Sequence, residues 1–139
     1  MDLQLKDKFG LHDCRTTHAD YANDYLTFAF NDGIYCFEGN DCKRTCKAQM
    51  KCHIIDKDLG GVTVYIYTTD ANGVTVREDH SETFIEEINK GLYEFEIVTE
   101  YKAFNKILLK GYVWFDDAPY NRECEIELLT DDVSFMCLM

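Results

Sequence analysis

Three stretches decide the fold: Leu92-Tyr93-Glu94-Phe95-Glu96-Ile97-Val98-Thr99-Glu100-Tyr101, Lys106-Ile107-Leu108-Leu109-Lys110-Gly111-Tyr112-Val113-Trp114-Phe115 and Arg122-Glu123-Cys124-Glu125-Ile126-Glu127-Leu128-Leu129. Each alternates with period two, the signature of a strand with one face buried. In the first, Tyr93, Phe95 and Ile97 share one face, and Glu94, Glu96 and Val98 the other. In the second, Ile107, Leu109, Val113 and Phe115 oppose Lys106, Lys110, Tyr112 and Trp114. In the third, Cys124, Ile126 and Leu128 point in, while Glu123, Glu125 and Glu127 point out. Joined in order, they make an antiparallel meander whose outer sets lie on one surface.

That surface carries Glu94, Glu96, Glu123, Glu125 and Glu127 around a strand with two lysines, Tyr112 and Trp114, the only tryptophan. Two readings follow. Lys106 and Lys110 between acidic strands suit cross-strand charge pairing, with Trp114 covering glutamate stems or packing under the 116–121 loop. Alternatively, Tyr112 and Trp114 anchor a protein partner, as such residues do at interface hot spots, and the surplus carboxylates steer a basic one.

Working outward, residues 25–30 and 34–37 read as a hairpin through Asp32-Gly33, with Leu26, Phe28 and Phe30 facing the core. Residues 62–67 and 74–76 read as a second, through Asn72-Gly73. Gly60-Gly61 marks the preceding turn, which leaves 48–55 as a strand, and 133–138 forms a short last one. One helix is expected near residues 81–90. Asp79 and Ser81 supply capping side chains, Phe84, Ile85 and Ile88 a short apolar stripe, Glu86 and Lys90 an i,i+4 pair, and Gly91 a stop. No linker is visible. The expectation is a single mainly β (β-rich α+β) domain over residues 1–139: an antiparallel sandwich or half-barrel of about eight or nine strands with one short helix.

Composition narrows the function classes. The chain has 139 residues and 14 Lys and Arg against 26 Asp and Glu, a net charge of −12, which argues against broad contact with nucleic acid. No run approaches the length of a membrane-spanning helix, and residues 1–10 lack the apolar core of a signal peptide. The tail Met136-Cys137-Leu138-Met139 places its cysteine one position too late for prenylation. Seven cysteines without an export signal read as reduced thiols in a cytoplasmic protein.

Cys36, Cys42, Cys46 and Cys52, with His53 beside the last, are the densest group of potential metal ligands. Only Cys42 and Cys46 have zinc-knuckle spacing, so Cys42, Cys46, Cys52 and His53 define a zinc-stabilised module as an alternative to loose or buried thiols. His12, Cys14 and His18 would share one face if their stretch is a strand, giving a metal corner or an activated thiol in a small-molecule-binding barrel or enzyme. A structural His12–Asp13 pair is the plainer reading. Nucleophile-elbow, phosphate-loop, zinc-protease and dinucleotide signatures are absent, and no cofactor is expected.

The segment Phe9-Gly10-Leu11-His12-Asp13-Cys14, followed by Tyr25-Leu26-Thr27-Phe28, resembles the start of several small bacterial β-rich families. These open with an apolar-His-Asp motif and then a strand of the form L-x-F. Some are uncharacterised and others are immunity proteins that neutralise a toxin. The resemblance implies a cytoplasmic, non-catalytic binding protein, and −12 suits an inhibitor of a basic partner.

Overall fold

The computed structural model describes residues 9–138; residues 1–8 and 139, on which the readings of the N-terminus and the extreme tail partly rest, lie outside that range. In chain order the elements are β1 (Phe9–Gly10), β2 (Cys14–Thr16), β3 (His18–Ala22), β4 (Tyr25–Phe30), β5 (Tyr35–Glu38), β6 (Asp41–Arg44) and β7 (Lys47–Ile54). A 3-10 turn (Lys57–Leu59) precedes β8 (Val62–Thr69), β9 (Thr75–Asp79), the helix α1 (Phe84–Asn89), β10 (Glu94–Ala103), β11 (Lys106–Trp114) and β12 (Asn121–Leu138). The fold is mainly β and antiparallel. Among the described residues there are twelve strands, because β1, β2, β3 and β6 are short pieces that carry little periodicity of their own.

Nine strands form one sheet in the order β2-β10-β11-β12-β7-β4-β3, with β8 also on β12 and β9 on β8; β1, β5 and β6 form a separate small sheet. The two C-terminal strands expected from the sequence are one strand of 18 residues. Its first half lies between β11 and β8, with Ile126 opposite both Leu109 and Val64. After an irregularity between Thr130 and Asp132, its second half pairs with β7. That change of partner makes β12 common to two layers whose inner faces meet. Phe84 of α1 joins them, with ring centroids 6.3 Å from Phe28 on β4 and 6.5 Å from Phe95 on β10. β2 pairs with β10 and β3 with β4, so the sheet wraps around without closing into a barrel.

The hairpin through Asn72-Gly73 forms as expected, with Thr69 opposite Thr75. The one through Asp32-Gly33 does not. Both edges of β4 are occupied, by β3 and β7, and β5 pairs with β1 and β6 instead. The turn itself is real: Gly33 has φ +81°, and a Cβ there would sit 1.9 Å from the Thr45 carbonyl oxygen. It sends the chain out of the large sheet, where Ile34 N–H donates to Thr45 Oγ1 (3.0 Å) and Thr45 N–H to the Ile34 carbonyl (2.9 Å). The hairpin onto β4 comes from β3 through Asn23-Asp24, both at positive φ as a tight β-turn requires.

The helix is shorter than 81–90, since Ser81 is held in a turn by Asp79 and the first helical residue is Phe84. Phe84 and Ile88 are buried, and Lys90 pairs with Glu86 at 2.6 Å. Asn89 covers the edge of β3. Its Oδ1 accepts from Ala19 N–H (2.9 Å) and its Nδ2 donates to the Ala19 carbonyl (2.7 Å), so a side-chain amide replaces the next strand. Asn89→Ala leaves both groups unpaired and is expected to destabilise the fold by about 1–3 kcal/mol in a urea titration. An unchanged midpoint would show that water takes over both bonds.

Candidate functional site

The meander places its outer residues as the parity predicts. Glu94 lies opposite Trp114, Glu96 opposite Tyr112 and also Arg15, Tyr112 opposite Glu123, and Lys110 opposite Glu125. Tyr93, Phe95, Ile97, Ile107, Leu109, Val113, Cys124, Ile126 and Leu128 are buried on the inner side. The parity argument fails after Ile97, where a bulge shifts the register so that Thr99 pairs with Lys110 and Tyr101 with Leu108. The bulge moves Thr99 and Tyr101 to the outer face. Gly111 permits the close approach there, since a Cβ on it would lie 1.8 Å from the Glu96 carbonyl oxygen.

The face is therefore more aromatic than the sequence suggests. Tyr101, which is more than half exposed, joins Tyr112 and Trp114, and β8 adds Tyr65 and Tyr67. A hollow of about 230 Å³ lies beside Gly111, bounded by Thr99, Tyr101, Lys110, Tyr112, Glu123 and Glu125. Trp114 is half-buried. Its Nε1 donates to Glu96 (3.0 Å), and the Arg15 guanidinium lies 4.7 Å from its ring centroid. Lys106 pairs with Glu127 and Lys110 with Glu125, each at 3.4 Å. Tyr67 also donates to Glu125 (3.1 Å), and desolvation and then that bond raise its hydroxyl pKa. The lysines thus pair across strands as the charge-pairing reading expects, and the five carboxylates outnumber Arg15, Lys106 and Lys110.

The cysteines do not converge. Cys52 is buried on the inner side of β7, whereas His53, next along the strand, turns outward and bonds Asp131 at 2.7 Å. Cys42 and Cys46 are exposed, and Cys36 is buried on β5. Among the described residues no three His, Cys, Asp or Glu side chains are grouped to hold a metal ion. His12, Cys14 and His18 do not share a face either. A turn with Asp13 at φ 60° intervenes, so His12 is exposed, bonds the Val98 carbonyl and lies 3.2 Å from Asp13, while Cys14 is buried and His18 exposed. Burial pushes the thiol pKa of Cys14 up, and that of Cys124 much further. Under native conditions an alkylating reagent is expected to label Cys42 and Cys46 within minutes and to spare Cys14, Cys36, Cys52 and Cys124 until unfolding, as peptide mass spectrometry would read.

A second cluster escaped the sequence reading. Glu87 on α1 accepts at one oxygen, Oε1, from Thr83 Oγ1 (3.0 Å) and Tyr93 OH (3.1 Å), with His80 Nδ1 at 2.9 Å. Desolvation, then the Glu87 charge, raises the Tyr93 pKa far above its ordinary value. Asp79 and Ser81 are legible as caps, but the contacts from His80 and Tyr93 to Glu87 span seven and six residues and follow from no periodicity. Only Thr83 and Glu87, one helical turn apart, were legible.

No protein family matches the chain, and no curated protein or solved structure does so either. What stands is a mainly β, antiparallel protein with an acidic and aromatic sheet face. No helix among the described residues is long and apolar enough to cross a membrane.

Proposed function

We propose that the protein is a non-catalytic binding module that captures a basic protein partner on the β10-β11-β12 face. The observation that carries this reading is the gathering of Tyr101, Tyr112 and Trp114 among Glu94, Glu96, Glu123, Glu125 and Glu127 on one side of one sheet. Large amphipathic rings supply contact area at small entropic cost, and an excess of carboxylates speeds encounter with a positively charged surface. An inhibitor of the immunity type, acting in the cytoplasm, is the form that the N-terminal resemblance implies. The hollow beside Gly111 would receive a side chain of the partner, with Glu123 and Glu125 at its wall.

The test is affinity capture from the host lysate at low and moderate salt, followed by titration of the purified partner. A basic protein should be retained by the wild type and released by salt. Trp114→Ala should lower its affinity by about 2 kcal/mol, roughly 30-fold, with the fold intact by circular dichroism. Trp114 is the only tryptophan, so its emission should shift on saturation. A captured partner that binds Trp114→Ala and Glu123→Lys as tightly as wild type would place the interface elsewhere.

A further inference from the structure

Beyond that face, the cavity at the end of the sandwich carries a separate inference. It has a volume of about 510 Å³ and lies between β9, α1, the start of β10 and the 116–119 loop. His80, Glu87, Tyr93, Phe115 and Arg122 line it, with Glu78, Asp116 and Asp117 also on its wall. The volume suits a small metabolite.

Arg122 is the unusual member. It follows the inward parity of Cys124, Ile126 and Leu128, so its half-buried side chain enters the end of the core instead of the outer face. Its guanidinium carbon lies 4.9 Å from the Phe115 ring centroid. It forms no ion pair among the described residues, although four carboxylates share the cavity wall. Its Nε is buried and has no hydrogen-bond partner among the described residues, so the guanidinium sits at the cavity with part of its desolvation cost not offset.

The other side of the cavity offers acceptors. Oε1 of Glu87 is saturated by His80, Thr83 and Tyr93, which fixes the carboxylate, while Oε2 takes no hydrogen bond among the described residues. Asp116 and Asp117 are exposed at the rim. A simple anion would be drawn to Arg122 but repelled by four carboxylates. A simple cation would satisfy those carboxylates but be opposed by Arg122. A molecule carrying both charges meets both demands.

We propose that this cavity binds a small zwitterion of the α-amino-acid class, its carboxylate on Arg122 and its ammonium on Glu87 and the acidic rim. Phe115 and Tyr93 supply the apolar wall for its side chain. Bidentate pairing with a guanidinium favours a carboxylate over a neutral acceptor, and the Glu87 hub holds the opposite pole in place.

The experiment titrates the common L-α-amino acids, singly, into the folded chain and follows backbone amide resonances by NMR. For each amino acid that binds, the matching carboxylic acid without the amine and the amine without the carboxylate serve as probes. The expected result is saturable binding of one or a few amino acids, with shifts at His80, Tyr93 and Arg122, and both single-charge analogues weaker by about tenfold or more. Arg122→Gln should abolish measurable binding, and the double variant Asp116→Asn/Asp117→Asn, on the exposed loop, should weaken it severalfold while its spectrum stays dispersed. The proposal is overturned if no amino acid binds at millimolar concentration, if either single-charge analogue binds as well as the amino acid, or if a folded Arg122→Gln protein binds it unchanged.

Discussion

Phe84→Ala is expected to cost about 3–5 kcal/mol, a large share of the stability of a domain whose total is of order 5–15 kcal/mol. Phe84 is 1% exposed, and its ring meets Phe28, Tyr93 and Phe95, so one side chain fills the space between the helix, β4 and β10. Truncation leaves a cavity that none of these rings can fill, because Phe28 is fixed on β4 and Tyr93 and Phe95 at the start of β10. A urea titration should show a much lower midpoint with an unchanged slope. Leu92→Ala, about half exposed one turn beyond the same helix, should move the midpoint by no more than about 0.5 kcal/mol. Equal effects of the two substitutions would mean that Phe84 is not the junction of the layers.

Gly111→Ala is the second large effect. Its added methyl would lie 1.8 Å from the Glu96 carbonyl oxygen and 2.9 Å from the carbonyl carbon, both backbone atoms that cannot rotate away. β10 and β11 must separate at the bulge, and overpacking of this kind costs about 1–3 kcal/mol or more. The consequence reaches the outer face, since the same bulge turns Thr99 and Tyr101 outward and shapes the hollow. A folded Gly111→Ala protein should therefore lose partner affinity together with stability. Amide exchange should accelerate along β10 first. A protein as stable as wild type, with protected β10 amides, would show that the strands part without penalty.

These two residues also mark the limit of what the sequence makes legible. Strict alternation from Tyr93 to Ile97 and from Glu123 to Leu128 assigned inner and outer residues correctly, because a side chain on a half-buried strand has only two directions to choose from. Val98 and Thr99 are ordinary strand residues, so nothing in their identity announces a bulge; the signal is Gly111, a glycine in the interior of β11. The Asp32-Gly33 turn was legible as a turn, but turn chemistry says only that the chain reverses, not which strand receives it. The separation of Cys52 from His53 was readable, since adjacent residues on a strand face opposite sides. The Glu87 cluster was not, because the strand end, helix and strand that build it meet only in the tertiary fold.

The double membership of β12 bears on how the chain assembles during synthesis. It emerges after all the other described elements, yet β7, β8 and β11 all require it as a neighbour. Until it is released, the strands of the large sheet can form only three separate groups, β2 with β10 and β11, β3 with β4 and β7, and β8 with β9. Three apolar-backed strands then wait with unpaired rims, the condition in which nascent β-proteins associate wrongly. A ribosome-tethered chain halted before residue 121 should accordingly remain protease-sensitive and bind chaperones. One released after β12 should become resistant in a single concerted step.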